Sequence, residues 1–244
     1  MANSEQHSES KRQTRNMFNR IAPSYDRINT ILSFGADKRW RKRFVAMAAE
    51  QAPSTILDMA TGTGEVAVAL AHKLPECKIT GADLSKQMLA EAVLKIEQQG
   101  LGDRITLVEA DVEQLPWADE SFDLTTVAFG VRNFPSQAKA LGELYRTLRS
   151  GGELLVVEFS EPRNRLFGAI YRLYRRYWMP WLGGLLSGDR NAYTYLPASI
   201  AKYCATVDFR AELTKAGFRL HRDTRLTGGI ATIYRATKHT TTDN

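Results

Sequence analysis

Thr55-Ile56-Leu57-Asp58-Met59-Ala60-Thr61-Gly62-Thr63-Gly64-Glu65-Val66 is the stretch on which the fold turns. It starts as a short apolar run with an acid at its end, becomes a glycine-rich turn, and continues into Val66-Ala67-Val68-Ala69-Leu70-Ala71, which suits a helix. The pattern is strand, tight turn, helix. Gly62 and Gly64 lack a Cβ, so the turn can take left-handed dihedrals and a ligand can approach the backbone closely. The free N–H groups of the new helix point into the same space. A nucleotide-like cofactor on this turn is the functional reading. The spacing Gly62-x-Gly64-x-x-Ala67 also fits the dinucleotide fingerprint, so the glycines alone leave the cofactor open, and a glycine loop without ligand remains the bland alternative.

Outward from this stretch, strands and helices alternate. Lys78–Asp83 reads as a second strand ending in an acid, followed by Ser85 as cap of a helix over Lys86–Gln98. Arg104–Asp111 is a third strand with an acidic end, and Phe122–Phe129 a fourth, leading into the loop Gly130-Val131-Arg132-Asn133-Phe134. A helix over Ser136–Arg149 stops at Gly151-Gly152 and a fifth strand spans Glu153–Phe159. A helix over Val207–Ala216, a strand over Phe218–Leu226, a Gly228-Gly229 turn and a strand over Ile230–Ala236 complete the pattern. Two strands joined so closely are antiparallel. The prediction is an α/β fold: a doubly wound, Rossmann-like, seven-stranded sheet, mostly parallel, with an antiparallel C-terminal hairpin. Ligands in such sheets sit at the carboxyl ends of the strands, where Asp58, Asp83, Asp111 and the Arg132-Asn133 loop all fall. Isolated carboxylates there need donors, and a ribose diol and an adenine amino group are suitable ones.

At 244 residues the chain suits a single domain over 1–244, with a helical arm or lid over 1–50 and a helical insertion over 160–205 covering the substrate side. The net charge of +6 leans towards anionic partners, nucleic acid or lipid. Cys77 and Cys204 stand far apart in no metal spacing, so no metal site is expected and a reduced, cytoplasmic setting is the simplest account. No signal peptide or bilayer-spanning run is visible, and Met1 to about Lys11 and Thr237–Asn244 read as frayed ends. A short helix broken near Pro23 is expected over 12–34, with Asp37 as cap of the next helix. That helix carries Lys38, Arg39, Arg41, Lys42 and Arg43, either a solvated face or a contact for lipid headgroups. Over 163–187, Phe167, Tyr171, Tyr174 and Trp178 form one helical stripe, widened by Leu166, Ile170, Leu173, Tyr177 and Trp181 and interleaved with arginines; Pro180 and Gly183-Gly184 are expected to break the helix. The stripe is either core or a lid that covers an apolar substrate and touches a membrane surface.

Several stretches resemble the quinone-pathway C-methyltransferases, the S-adenosylmethionine-dependent family of menaquinone and ubiquinone synthesis. They are Phe18-x-x-Ile21-Ala22-x-x-Tyr25-Asp26-x-x-Asn29, Leu32-Ser33-Phe34-Gly35-x-x-x-x-Trp40-Arg41, Leu57-Asp58-x-Ala60-x-Gly62-Thr63-Gly64, Ala128-Phe129-Gly130-Val131-Arg132-Asn133, Gly151-Gly152-x-x-Leu155-Val156-x-Glu158-Phe159-Ser160, Tyr195-Leu196-x-x-Ser199-Ile200 and Leu226-Thr227-Gly228-Gly229. The resemblance covers roughly Met17 to Lys238. It implies S-adenosyl-L-methionine as cofactor, with Thr63 at its methionine end, Asp83 on the ribose hydroxyls, Asp111 and the Val112 backbone framing adenine, and Asp58, Gly62 and Gly64 shaping the turn. Many relatives carry a serine where this chain has Ala128, so no side-chain contact carries over there.

The implied reaction methylates a ring carbon of a prenylated quinol, demethylmenaquinol to menaquinol, and needs a proton acceptor and donors for the developing oxyanion. Arg132 is expected to stabilise negative charge, with Asn133 and Tyr25 orienting the quinol or a water. No histidine stands as the base. An apolar prenyl tail implies work at a membrane surface, so the expectation is a cytoplasmic protein, peripheral on the inner face of the membrane, monomer or homodimer. A benzoquinol ring, another small apolar acceptor, and a nicotinamide oxidoreductase are the competing readings. A nucleic-acid module finds no motif here, and no nucleic-acid partner is expected.

Overall fold

β1 (Thr55–Met59) lies in the middle of the single sheet of the computed structural model, which describes residues 2–187 and 189–239. Ile56, Leu57, Asp58 and Met59 are all buried, as befits a strand covered on both faces. Side chains alternate across the pleat: Ile56 packs into the layer under α3 (Ala36–Ala49), α4 (Glu65–Lys73) and α5 (Lys86–Gln98), and Leu57 into the layer under α6 (Gln137–Thr147) and α10 (Phe209–Lys215). β2 (Lys78–Asp83) and β4 (Phe122–Ala128) flank β1 in parallel, β3 (Ile105–Glu109) lies outside β2, and β5 (Leu148–Phe159) outside β4. β8 (Ala231–Lys238) runs antiparallel to β5, and β6 (Phe218–Leu220) and β7 (Thr224–Leu226) both run antiparallel to β8. The order β3-β2-β1-β4-β5-β8-β6 reverses at β1 and β4, which sets the ligand crevice at that end of the sheet. The expected sheet is therefore present, with its last position shared by two short strands: the run 218–226 is interrupted at His221-Arg222-Asp223.

A third core cluster lies outside these layers. It joins Met17 and Ile21 of α1 (Ala2–Ile21) and Ile28 and Leu32 of α2 (Tyr25–Leu32) to Met88 of α5, Met179 of α8 (Met179–Ser187), and Ala192 and Tyr193 of α9 (Arg190–Thr206). Arm and insertion are thus one packed layer. α8 and α9 approach closely at Gly183, where an added Cβ would meet the Tyr193 ring at 2.5 Å.

Several local expectations are corrected. The chain before Lys11 is not frayed coil: α1 begins at Ala2 and runs unbroken into the part that packs through Met17 and Ile21, while Met1 lies outside the described residues. Asp37 does not cap α3. Gly35, at φ +72, opens that helix, and Asp37 sits in the first turn accepting hydrogen bonds from Thr30 and Ser33. The helix ends at Thr147, not near Arg149; β5 starts at Leu148, and Gly151-Gly152 lie inside it at a register shift against β4. Pro180 and Gly183-Gly184 do not break the helix, which runs on from the preceding turn through α8; Pro180 lies inside this run and removes one backbone donor from it. The strain is taken up upstream by a π-helical turn over Tyr174–Trp178 that follows α7 (Arg165–Leu173). At the other end, Thr237 and Lys238 belong to β8, and residues 240–244 lie outside the described residues.

Candidate active site

A cavity of about 770 Å³, counting its open mouth, lies at the carboxyl ends of β1 to β4. Gly62 at φ +57 forms its floor, and an added Cβ there would meet nothing within 4 Å, so the glycine leaves free room for a ligand against the backbone. Ala60 and Phe129, one at each lip, also hold φ +57, a conformation that non-glycine residues keep only where the surroundings enforce it. The enforcement is visible at Gly130, where a Cβ would meet that of Ala60 at 2.7 Å: the loops after β1 and β4 are in contact.

Asp83 and Asp111 both face this cavity. Asp83 Oδ2 accepts from the Gly62 N–H at 2.9 Å and Oδ1 from the Ser85 N–H at 2.8 Å, so the carboxylate ties the glycine turn to the start of α5. Burial raises its pKa above the ordinary carboxylate value, with the backbone donors of Ser85, Gly62 and Leu84 opposing. Asp111 Oδ1 accepts from the Glu113 N–H at 3.0 Å, and Val112 lies beside it on the wall. These residues fit an adenosyl group: a half-buried acid with acceptor capacity for a diol, a second acid for an amino group, and a floor that a side chain would obstruct.

Three of the residues assigned to the cofactor from sequence do not line the cavity. Asp58 is 1 % exposed and lies beneath the turn, its oxygens taking the Thr126 hydroxyl at 2.7 Å and the Thr61 hydroxyl at 2.6 Å. Gly64, at φ +77, forms the N-cap of α4 against Ala92. Thr63 is buried, and its hydroxyl donates to Asp26 Oδ1 of α2 at 2.7 Å. Asp26 in turn pairs with Lys95 at 2.8 Å, so the arm is tied to the glycine turn.

Burial pushes the Asp58 carboxyl up to about 6, against the pull of the Thr61 and Thr126 hydroxyls. The folded form then holds this proton to a higher pH than the unfolded chain does. Its contribution to stability is complete below about pH 4 and is lost as pH rises through about 6, a change of about 3 kcal/mol. Asp58→Asn abolishes that loss. Denaturant unfolding is expected to show the variant gaining on the wild type by up to about 3 kcal/mol between about pH 4 and pH 7. A pH-independent difference would contradict the assignment.

On the β4 side, Asn133 and Tyr25 line the cavity and Arg132 does not. Asn133 Oδ1 accepts from the Tyr195 hydroxyl at 2.9 Å, a contact that fixes the amide from α9. Arg132 points behind the wall. Its side chain is 3 % exposed and pairs at 3.0 Å with Glu158, which is fully buried. The guanidinium also donates to the Phe129 carbonyl and lies 5.3 Å from the centre of the Phe159 ring. Glu158 accepts in addition from the backbone N–H groups of Arg132 at 3.2 Å and Phe159 at 2.9 Å. Burial raises the pKa of the Tyr25 phenol, and the Arg132 charge is the largest influence in the other direction. Of the three residues expected at the acceptor, Asn133 and Tyr25 line the cavity, and Arg132 is turned away from it towards Glu158.

Sequence reasoning missed Glu158 and Tyr195, the partners of Arg132 and Asn133, although both fall in stretches that carry the family resemblance. It also missed Lys11, Thr14, Arg15 and Phe18 of α1, which line the mouth at a helical spacing of three, four and seven. Among the described residues, no group of three or more His, Cys, Asp or Glu could hold a metal ion.

A family model described as the ubiE/COQ5 methyltransferase family matches residues 5–238. The chain belongs to that family. Among its relatives, a demethylmenaquinone methyltransferase of Thermus thermophilus is 48 % identical over 89 % of this chain and 98 % of that protein. A ubiquinone/menaquinone biosynthesis C-methyltransferase of Syntrophotalea carbinolica is 46 % identical over 91 % of this chain and 92 % of its own length. Among solved structures, a SAM-dependent methyltransferase from Aquifex aeolicus superposes with a TM-score of 0.54 at 17 % identity, covering 79 % of this chain and 88 % of that one. The [4+2]-cyclase SpnF superposes with a TM-score of 0.67 at 18 % identity, covering 94 % and 97 %. At such identities the likeness establishes the fold and leaves the reaction to the site.

Proposed function

We propose that this chain transfers the methyl group of S-adenosylmethionine to a ring carbon of a prenylated, demethylated quinol, with demethylmenaquinol as the acceptor. The observation that carries the reading is the convergence of Asp83 and Asp111 on one cavity whose other wall presents Asn133 and Tyr25. The cofactor, when bound, supplies an electrophilic methyl on a sulfonium. The protein's part is to align and to exclude water. Asp83 accepts from the ribose hydroxyls, Asp111 and the Val112 backbone bracket the adenine edge, and the bare backbone at Gly62 admits the chain of the cofactor. Thr63 and Asp58 hold the turn in shape from below. Asn133, fixed by Tyr195, and Tyr25 orient the quinol hydroxyl or the water that takes its proton, and the buried Arg132 charge favours the oxyanion that develops there.

The insertion supports a membrane-surface site. Trp178 and Trp181 are 59 % and 61 % exposed, and Leu166, Ile170, Leu173, Tyr177 and Leu185 lie exposed on the same run of helix. The widening set of the predicted stripe therefore faces outward, while Tyr171 packs inward. Phe34, 79 % exposed, adjoins it through the Tyr174 ring at 5.8 Å. Arg165, Arg172, Arg176, Lys38 and Arg39 are exposed around these residues in the sequence. Aromatic and aliphatic side chains fringed by cations are what an anionic lipid surface accommodates. Among the described residues, no helix is long and apolar enough to cross a membrane. The inner side of α8 packs in the same cluster as Phe18 and Tyr25, so a lipid-borne tail has a short way to the cavity.

The deciding experiment supplies purified protein with methyl-labelled S-adenosylmethionine and, separately, demethylated naphthoquinol and benzoquinol in reducing detergent. Label in the naphthoquinol product supports the reading; label in neither product would end it, and label in the benzoquinol alone would reassign the ring. In a second measurement, the wild type is expected to co-sediment with anionic vesicles. The double variant Trp178→Ser, Trp181→Ser should bind at least about tenfold more weakly, since a large apolar side chain contributes roughly 1.5–3 kcal/mol on burial. Equal binding by both would remove this face from the contact.

A further inference from the structure

The arm touches the cavity in an ordered way. Lys11 Nζ lies 2.5 Å from Asp111 Oδ2 and 2.8 Å from Glu113 Oε2. Two turns on, Asn19 Oδ1 accepts from the Ser85 hydroxyl at 2.6 Å, beside Asp83. Past the bend at Pro23, Asp26 accepts from Thr63 on the glycine turn. Three tethers of the arm thus land on three successive strand ends, after β3, β2 and β1. Between the first two, Lys11, Thr14, Arg15 and Phe18 form one helical stripe along the mouth of the cavity. Phe18 meets the Tyr25 ring edge-on at 6.0 Å.

We propose that α1 is the outer wall of the cofactor site and that Lys11 is a positioning residue which latches this wall over a bound adenosyl ligand by bridging Asp111 and Glu113. The inference rests on the reading of the cavity as the S-adenosylmethionine site. The geometry makes the latch specific. Glu113 is itself fixed, because its other oxygen accepts from the Ser136 N–H at 2.8 Å, and Asp111 is fixed by the Glu113 N–H. Lys11 therefore closes onto a prepared pair of acids and not onto mobile surface groups. Side-chain exposures of 22 % for Lys11 and 13 % for Glu113 leave the bridge only partly screened. The stripe lines the mouth, so on this proposal a bound nucleoside-sized ligand is held while α1 stays latched and leaves when α1 swings away. With α1 in place, Phe18 and Tyr25 complete the acceptor side. Removing Lys11 leaves two neighbouring carboxylates without their shared cation, which loosens the closed form and shortens the ligand's stay.

The test follows dissociation of S-adenosylhomocysteine from the full chain by competition in stopped flow, together with trypsin cleavage of α1 after Arg12 and Arg15. In the wild type, dissociation is expected to speed up with salt, and the ligand to protect α1 from cleavage. Lys11→Met, with an unchanged thermal midpoint, is expected to release the ligand at least about tenfold faster, without the salt effect and without protection. Lys11→Arg, which keeps the charge, should stay within about twofold of the wild type. Unchanged dissociation in Lys11→Met, or equal cleavage of wild-type α1 with and without ligand, would overturn the latch. A wild type that binds no S-adenosylhomocysteine would instead overturn the cofactor reading beneath it.

Discussion

Arg132→Ala is expected to lower the stability of the protein by about 3–5 kcal/mol and to reduce methyl transfer by at least roughly 100-fold. The first effect follows from burial. Glu158 is fully buried and its only cationic partner among the described residues is Arg132, so truncation leaves a carboxylate in the core without a counter-charge. The second follows from the position of the guanidinium behind Tyr25 and Asn133. Chemical denaturation reads the first effect, and labelled-methyl turnover at a temperature where the variant is folded reads the second. The two are separated by Arg132→Met with Glu158→Gln. That pair removes both charges and keeps one acceptor oxygen, which serves the backbone N–H of Arg132 or of Phe159 but not both. It is expected to return more than half of the lost stability while leaving turnover where the single variant put it. If turnover returned along with stability, Arg132 would be a structural residue only.

Asp83→Ala is expected to weaken binding of S-adenosylmethionine and S-adenosylhomocysteine by at least about 100-fold, since two hydrogen bonds to a charged acceptor contribute about 3 kcal/mol or more. The same variant also frees the Gly62 and Ser85 N–H groups, so the turn loses the tie that shapes it. Asp83→Asn keeps one acceptor oxygen and should fall between the two. Titration calorimetry checks both. Affinity within a few-fold of the wild type in Asp83→Ala would move the ribose away from β2 and with it the whole orientation of the cofactor.

The doubly wound sheet was legible because a strand with both faces covered, a glycine turn and an amphipathic helix leave distinct periodicities, and they repeat. The rim acids were legible for the same reason: each lies at, or just past, the carboxyl end of a strand. What periodicity could not separate is an acid that faces a ligand from one that faces its own loop. Asp83 and Asp58 look alike in sequence, yet two threonine hydroxyls that the fold brings to Asp58 place it under the turn. Thr63 is hidden by the same kind of long-range event, its partner lying 37 positions away on α2. The polar start of the chain gave no sign of order because its anchor is an ion pair across 100 positions, Lys11 to Asp111. For the 163–187 stripe, spacing told which side chains share a face and was silent on whether anything covers it. The residues at 166, 170, 173, 177 and 181 turned out to face away from the protein.

The place of β8 has a consequence for how the protein is made. This strand lies between β5 and the short β6 and β7, although it follows all of them in the chain. During synthesis the five parallel strands can associate as they emerge, because each finds a neighbour that already exists. The outer edge of β5, with Leu154 to Phe159 waiting to pair, stays open until residue 238 has left the ribosome. A nascent chain halted before that point carries an apolar strand edge with free amides and carbonyls, the form of partly folded sheet most prone to pairing with another molecule.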